Sequence, residues 1–137
     1  MQNKIEHLGI AVKSLENSQK VFQDVLGVDA YKKESVESEF VNTLFFKIGE
    51  SKIELLEPTS EQSAIHKFIE KKGEGIHHIA FDVSDIYAEM KRLQDLGYIL
   101  LNDEPKKGAD NKLICFIHPK SSNGVLIELC QEIKWVE

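Results

Sequence analysis

The sequence predicts an α+β fold in which two tandem βαβββ modules pair into a curved mixed sheet that encloses a cleft. Three observations predict it: an internal repeat, alternating apolar strands, and two helical patterns that each end at a glycine. The chain has 137 residues, 42% of them hydrophobic, which suits a single domain with a buried core. We expect one domain over residues 1–137, with modules near 4–58 and 75–132 joined by a short helical connector at 59–74.

The repeat extends over about eighteen aligned positions. The segment HLGIAVKSLENSQKVFQDVLG, which begins at His7, stays in register with HIAFDVSDIYAEMKRLQDLG, which begins at His78. In both copies a half-buried strand pattern precedes an apolar pattern of 3.6-residue period. Duplication at this length predicts two copies of one unit, each too small to bury its own sheet face.

Each copy predicts one amphipathic helix, closed by Gly27 in the first and by Gly97 in the second. The predicted apolar faces are Leu15, Val21, Phe22, Val25 and Leu26 in the first helix, and Ile86, Met90, Leu93 and Leu96 in the second. A third, connecting helix is predicted at 62–71 from the apolar edge formed by Ile65, Phe68 and Ile69.

Further β-prone runs follow each helix, at 40–48 and 52–56 in the first copy and at 98–101, 112–117 and 125–130 in the second. The turn tripeptides GES and SNG precede the last run of each copy, as hairpins require. The closing runs KIELL and VLIELC are therefore equivalent, and Glu54 aligns with Glu128.

Strand alternation predicts which side chains share the inner face of each sheet. The large residues on either side of His7 and His78 turn toward the helices, so both histidines turn inward beside small residues. His77 points the opposite way from His78 and is expected to be structural. Glu54 and Glu128 stand among apolar neighbours, where a carboxylate is costly unless a positive group meets it.

Two histidines and two glutamates on the inner face are typical ligands of a divalent ion. Such a set does not discriminate finely among cobalt, nickel, manganese, iron and zinc. Any one of these residues, taken alone, is better explained as an ordinary strand side chain whose polar atoms form hydrogen bonds. Their duplicated placement favours a metal site.

Charge and composition exclude some partners. The 17 basic and 23 acidic side chains give a formal charge of −6, which argues against a surface for nucleic acid or an anionic membrane. No export leader and no bilayer-spanning apolar run are recognisable. The two cysteines, Cys115 and Cys130, lie in apolar strands, so we expect a reduced, cytoplasmic protein with no nucleic-acid or membrane partner.

The duplicated unit, with a histidine on its first strand and a glutamate on its closing strand, resembles the vicinal oxygen chelate superfamily. Within it, KGEGIHHIAFDV and HPKSSNGVLIEL resemble the methylmalonyl-CoA epimerases, and the similarity runs from about residue 6 to residue 131. The resemblance implies an acyl-CoA substrate, a homodimer, and one divalent ion per chain (cobalt, nickel, manganese or zinc). It implies metal ligation by His7, Glu54, His78 and Glu128, with Glu128 also the proton-transferring base.

The implied chemistry, epimerisation of (2R)- and (2S)-methylmalonyl-CoA through an enolate, is simplest with an acid/base group on each side of the reacting carbon. Some members of the family that the chain resembles carry a second glutamate where this chain has Thr43, and Glu39 lies at least one strand turn away from that position. Either another group, such as a metal-bound water, supplies the second proton, or the activity differs. Thr43 and Lys120 are the predicted substrate contacts, whereas most of the nearby lysines fit solvated loops.

Two other functions stay open at this point. A glyoxalase I type lactoylthiol lyase uses the same ligand pattern to isomerise a hemithioacetal, and HPKSSNGVLIEL favours the epimerase over it. A non-catalytic small-molecule-binding module usually lacks the ligand set, so the four ligands count against it.

Overall fold

The computed structural model describes residues 2–134, and over that range it contains eight strands and three α-helices. The strands are β1 (Gln2–Ala11), β2 (Lys32–Val36), β3 (Val41–Ile48), β4 (Ser51–Pro58), β5 (Gly75–Val83), β6 (Lys106–Lys107), β7 (Lys112–Ile117) and β8 (Ile127–Glu132). The helices are α1 (Leu15–Leu26), α2 (Ala64–Lys72) and α3 (Ile86–Asp95). This order is βαβββ twice with α2 between the copies, which confirms the predicted α+β class. None of these helices is long and apolar enough to cross a membrane.

Residues 7–77 form one compact unit with the strand order β2-β3-β4-β1. β3 runs antiparallel to β2 and β4, whereas β4 runs parallel to β1. One face of these strands packs on α1 through Val12, Leu15, Leu44, Phe46 and Leu55. The other face meets α2 only at one end, through Ala11, Val41, Leu56 and Ile65. The rest of that second face carries the candidate site residues of this unit.

Residues 2–6 and 78–134 form the other unit, with the strand order β1-β5-β8-β7-β6. β5 and β8 are parallel, whereas β8, β7 and β6 are antiparallel in succession. The helix α3 packs on Val83, Cys115, Ile117 and Leu129. Its first turn is held by Gln131, whose Oε1 accepts a 2.7 Å hydrogen bond from the backbone N–H of Ile86.

The helix ends predicted from the glycines agree with the structure better than the predicted apolar faces do. Gly27 closes α1 at φ 72°, and Gly97, at φ 95°, follows α3 closely. Val21 and Val25 are 55% and 76% exposed, and Leu96 is 63% exposed, so their predicted burial is wrong. The sheet covers a narrower stripe of each helix than the apolar pattern predicts, and residues at the edge of the predicted faces turn to solvent.

The strand predictions need three corrections. β2 was not predicted, because its residues KKESV are short and mostly charged, as is usual for an edge strand. The run 98–101 is not a strand: Leu100 makes only an isolated bridge to Ile117, and the edge strand of that unit is β6. β8 begins at Ile127 and not at 125, because Val125 closes a turn with Ser122.

The acid sensitivity of the fold is expected to depend on Glu89. Arg92 donates hydrogen bonds of 3.1 and 2.9 Å to both carboxylate oxygens and lowers the pKa of Glu89 to about 2. Because the folded pKa lies below the unfolded value, this carboxylate stabilises the fold above about pH 4.5 and loses its contribution as the pH falls toward 2. Glu89→Gln should therefore reduce the fall in melting temperature between pH 4.5 and 2 by about 4 °C. Parallel melting curves for the two proteins would contradict this.

Candidate metal centre

In the unit of residues 7–77, His7 and Glu54 meet on the face opposite α1. His7 Nδ1 lies 3.0 Å from Glu54 Oε2, and both side chains are almost completely buried. The parallel register of β1 and β4 explains the contact, because it places Gly9 beside Glu54. A glycine leaves the space that the imidazole and the carboxylate occupy.

In the unit of residues 78–134, His78 and Glu128 form the equivalent pair. His78 Nε2 lies 3.5 Å from Glu128 Oε1, and both side chains are 6% exposed. The parallel register of β5 and β8 again places a small residue, Ala80, beside the glutamate. The ring of Phe116 contacts His78 edge to face, with centroids 5.8 Å apart.

The same row of residues occurs in both units. Gly9, Glu54 and Phe45 stand side by side on β1, β4 and β3. Ala80, Glu128 and Phe116 stand side by side on β5, β8 and β7. Both units therefore carry the same row of a small residue, a carboxylate and an aromatic ring. This is the arrangement expected if Glu54 and Glu128 occupy equivalent positions of the repeat.

The donors in each pair fit a divalent ion. Each unit supplies one imidazole nitrogen and one carboxylate oxygen at hydrogen-bonding distance, and all four side chains are more than nine-tenths buried. Such donors suit cobalt, nickel, manganese or zinc. An imidazole must be neutral and a carboxylate ionised to serve, and a bound cation favours both states.

His77 contacts the connecting helix. Its ring meets Phe68 of α2 edge to face, with centroids 5.0 Å apart. Burial lowers the pKa of His77 to about 4, so its imidazole is neutral at physiological pH. The two adjacent histidines therefore have different surroundings, as the strand alternation predicted.

The two predicted substrate contacts differ in their environment. Thr43 on β3 is 1% exposed, and within residues 2–134 its hydroxyl has no hydrogen-bond partner. It lies on the same face as Glu54, because Phe45 pairs with Glu54 and Thr43 with Leu56. Lys120 is an exposed residue of the turn Pro119–Ser121, and its backbone N–H donates to Nδ1 of His118.

Two residues of this region were misread or missed in the sequence. Lys112, which opens the predicted run 112–117, is buried on β7 opposite Glu132 of β8, unlike the solvated loop position expected for most of the lysines in this region. Glu34 had no predicted place because β2 was missed, and the structure pairs it directly with Thr43. The sequence KKESV has no apolar alternation that could have indicated the strand, and the greater coverage of Lys32, Glu34 and Val36 appears only in the structure.

A family model described as the Glyoxalase/Bleomycin resistance protein/Dioxygenase superfamily matches residues 6–116. The chain belongs to this superfamily. The resemblance to the vicinal oxygen chelate proteins is thereby confirmed, since both names denote the same βαβββ repeat proteins.

Relatives within the superfamily cover nearly the whole chain. The uncharacterized protein YqjC of Bacillus subtilis is 42% identical over 129 residues, which are 94% of this chain and 92% of YqjC. The ethylmalonyl-CoA/methylmalonyl-CoA epimerase of Cereibacter sphaeroides is 39% identical over 133 residues, which are 96% of this chain and 99% of that protein.

Solved structures of the superfamily include a similar enzyme with a ligand. A variant of the Streptomyces coelicolor methylmalonyl-CoA epimerase in complex with 2-nitronate-propionyl-CoA is 36% identical, with a TM-score of 0.94. The alignment covers 100% of this chain and 99% of that one. The likeness to the epimerases therefore extends to every element of the fold.

Proposed function

We propose that the protein is an isomerase that interconverts (2R)- and (2S)-methylmalonyl-CoA. One observation carries the proposal: each repeat buries a histidine and a glutamate in contact, at the same place relative to its strands. Two relatives that align over nearly their whole length are named as epimerases of ethylmalonyl-CoA or methylmalonyl-CoA. Their names support an acyl-CoA substrate for this protein.

His7, Glu54, His78 and Glu128 would bind one divalent ion per chain. When bound, the ion supplies a Lewis acid for the negative charge that develops on the thioester oxygen. Holding it requires neutral imidazoles and ionised carboxylates. In each unit the histidine and the glutamate lie almost fully buried in contact with each other.

Glu128 would remove the proton from C2, the carbon between the thioester and the carboxylate. A carboxylate can accept the proton on one oxygen while the other keeps its contact with His78. The ring of Phe116 lies beside Glu128 on the neighbouring strand β7. Return of a proton to the opposite side of C2 completes the inversion.

Thr43 and Lys120 would contact the substrate. The buried hydroxyl of Thr43 can donate a hydrogen bond to a substrate oxygen, which would satisfy a group that otherwise costs stability. The ammonium of Lys120 is exposed and can meet a phosphate or carboxylate by a charge-assisted bond. The homodimer and the cytoplasmic location stay predictions, and sedimentation velocity tests the first.

Metal content is the first measurement. We expect elemental analysis to find about one divalent ion per chain after reconstitution with cobalt, nickel, manganese or zinc. Content near zero with all four metals would reject the ligand set.

Two substrates assayed side by side separate the candidate reactions. The metal-loaded protein should epimerise methylmalonyl-CoA and leave a methylglyoxal–thiol hemithioacetal unchanged. Turnover of the hemithioacetal alone would move the assignment to a glyoxalase I type lyase. Binding of either compound without turnover would indicate a non-catalytic module.

A further inference from the structure

Two large apolar side chains are exposed at the outer edge of the unit of residues 78–134. Ile99 and Leu101 belong to the run 98–101, and each is more than half exposed. Single exposed apolar residues are common on protein surfaces and need no explanation. Two of them beside a strand of the candidate site are informative if they share the face of the sheet that carries Glu128.

The backbone of this run is extended and follows β7. Leu100 makes an antiparallel bridge to Ile117. The backbone N–H of Leu101 donates a 2.8 Å hydrogen bond to the carbonyl oxygen of Phe116. The carbonyl oxygen of Ile99 accepts another of 2.8 Å from the backbone N–H of the residue that follows β7. The run is therefore held against β7 on both sides of Leu100.

The bridge shows which way the exposed side chains project. Leu100 packs on the core that α3 covers. Successive residues of an extended chain project to opposite faces, so Ile99 and Leu101 project to the face opposite α3. Phe116 and Glu128 pair directly and project to that same face, because the residue after Phe116 belongs to the α3 core. We call Ile99 and Leu101 the edge strip.

A lysine lies on the same face and at the same edge as the edge strip. Lys106 on β6 pairs with Ile114 on β7, two residues before Phe116, so it projects to the same side as that ring. The next residue, Lys107, pairs with Leu113 and projects to the α3 side. The outer edge of this face therefore combines apolar surface with a positive charge.

A CoA thioester matches this combination. Its reacting carbon would lie at Glu128, and its thioester continues into the pantetheine arm, a largely aliphatic chain with two amides that ends at a diphosphate. Leu101 lies two strand spacings from Glu128, roughly 10 Å between Cα atoms, which is shorter than the arm. The chain has a formal charge of −6, so anionic phosphates need a local cation such as Lys106.

We propose that Ile99 and Leu101 bind the pantetheine arm of the acyl-CoA substrate and that Lys106 binds its phosphates, an inference that rests on the proposed function. Contact with the arm removes the apolar surface of the edge strip from water. The arm is remote from the reacting carbon, so these contacts are the same before and during the reaction. Their loss should raise KM and leave kcat unchanged.

The test measures binding separately from turnover. Propionyl-CoA is the binding probe, because it has the arm and the thioester but lacks the carboxylate on C2. Its dissociation constant is measured by calorimetry with metal-loaded wild type, the double variant Ile99→Ser/Leu101→Ser, and Lys106→Gln. KM and kcat for methylmalonyl-CoA, metal content, melting temperature and sedimentation coefficient are measured for the same proteins.

Two matched controls use residues that do not share this face. Leu96→Ser removes an equally exposed leucine from the end of α3. Lys107→Gln removes the neighbouring charge, which projects to the α3 side. Both control variants should bind propionyl-CoA and turn over methylmalonyl-CoA as the wild type does.

The double variant should raise the dissociation constant of propionyl-CoA and the KM for methylmalonyl-CoA by about tenfold each, with kcat within about twofold of the wild type. Lys106→Gln should raise both constants by about fivefold. These effects with unchanged metal content and melting temperature would support the edge strip as the binding surface for the arm.

A wild-type dissociation constant in the double variant, or no binding of propionyl-CoA to the wild type at millimolar concentration, would overturn the proposal. Unchanged binding with a lower sedimentation coefficient in the double variant would also overturn it, because the edge strip would then be a contact between copies of the chain. Binding that follows the expected pattern in a protein that does not invert methylmalonyl-CoA would instead reject the proposed function and leave the edge strip as a CoA-binding surface.

Discussion

Replacing Glu128 with glutamine is expected to lower epimerisation of methylmalonyl-CoA by about 1000-fold. Glutamine keeps the size of the side chain and still offers an oxygen, but it cannot accept a proton near neutral pH. The loss should therefore persist when metal content is restored to the wild-type level. An epimer-specific assay measures the rate of inversion in wild type and variant that have been loaded to equal metal content.

Glu132→Gln is the matched control for this variant. Glu132 lies on the same strand and the same face as Glu128, but it is exposed and pairs with Lys112. The Glu132→Gln variant should invert the substrate at the wild-type rate. If Glu128→Gln regained full activity once metal was restored, Glu128 would be a ligand and not a base.

Replacing His78 with alanine is expected to weaken metal binding by more than about 100-fold, whereas His77→Ala should change it by less than about tenfold. The reason is geometric. His78 contacts Glu128, whereas His77 contacts Phe68 of the connecting helix. Competition titration with a chromophoric chelator measures both affinities.

The His77 variant is itself the control for changes in the strand. Loss of the ring contact with Phe68 should lower its melting temperature without removing the metal. Equal losses of affinity in the two variants, or a larger loss in His77→Ala, would contradict the assignment of His78 as the ligand.

Residues fixed by the repeat were predictable from the sequence. His7 and His78 align without gaps, and strand alternation alone turns each toward a glutamate on a closing strand. The structure places each histidine against the glutamate of its own repeat, at 3.0 and 3.5 Å. The end of α1 at Gly27 was also predictable, because glycine is favoured where a helix closes with a positive φ. In the structure the φ of Gly27 is 72°.

Features set by tertiary context were not predictable. Val21 and Val25 fit the apolar period of α1 but are exposed, since burial depends on how far the sheet extends under the helix. The charged strand β2 is held by its pairing with β3, which no local pattern announces. The run 98–101 is apolar enough for a strand, yet only Leu100 finds a bridging partner.

Because strand β2 was not predicted, the position of Glu34 was not predicted either. Its neighbours in the sequence are charged and suggest a loop, whereas its neighbour in space is the buried Thr43. Pairing between strands carries this information, and a single sequence does not display it. Its place beside Thr43 therefore became visible only with the register of β2 and β3.

Exchange at C2 tests the central claim most directly, which is that the protein removes and returns the proton between thioester and carboxylate. Metal-loaded wild type is incubated with one epimer of methylmalonyl-CoA in D2O, and both the deuterium at C2 and the epimer ratio are followed by NMR and mass spectrometry. We predict deuterium at C2 together with approach to an equal mixture of the two epimers. Retention of hydrogen at C2 with no change in the epimer ratio would contradict the account.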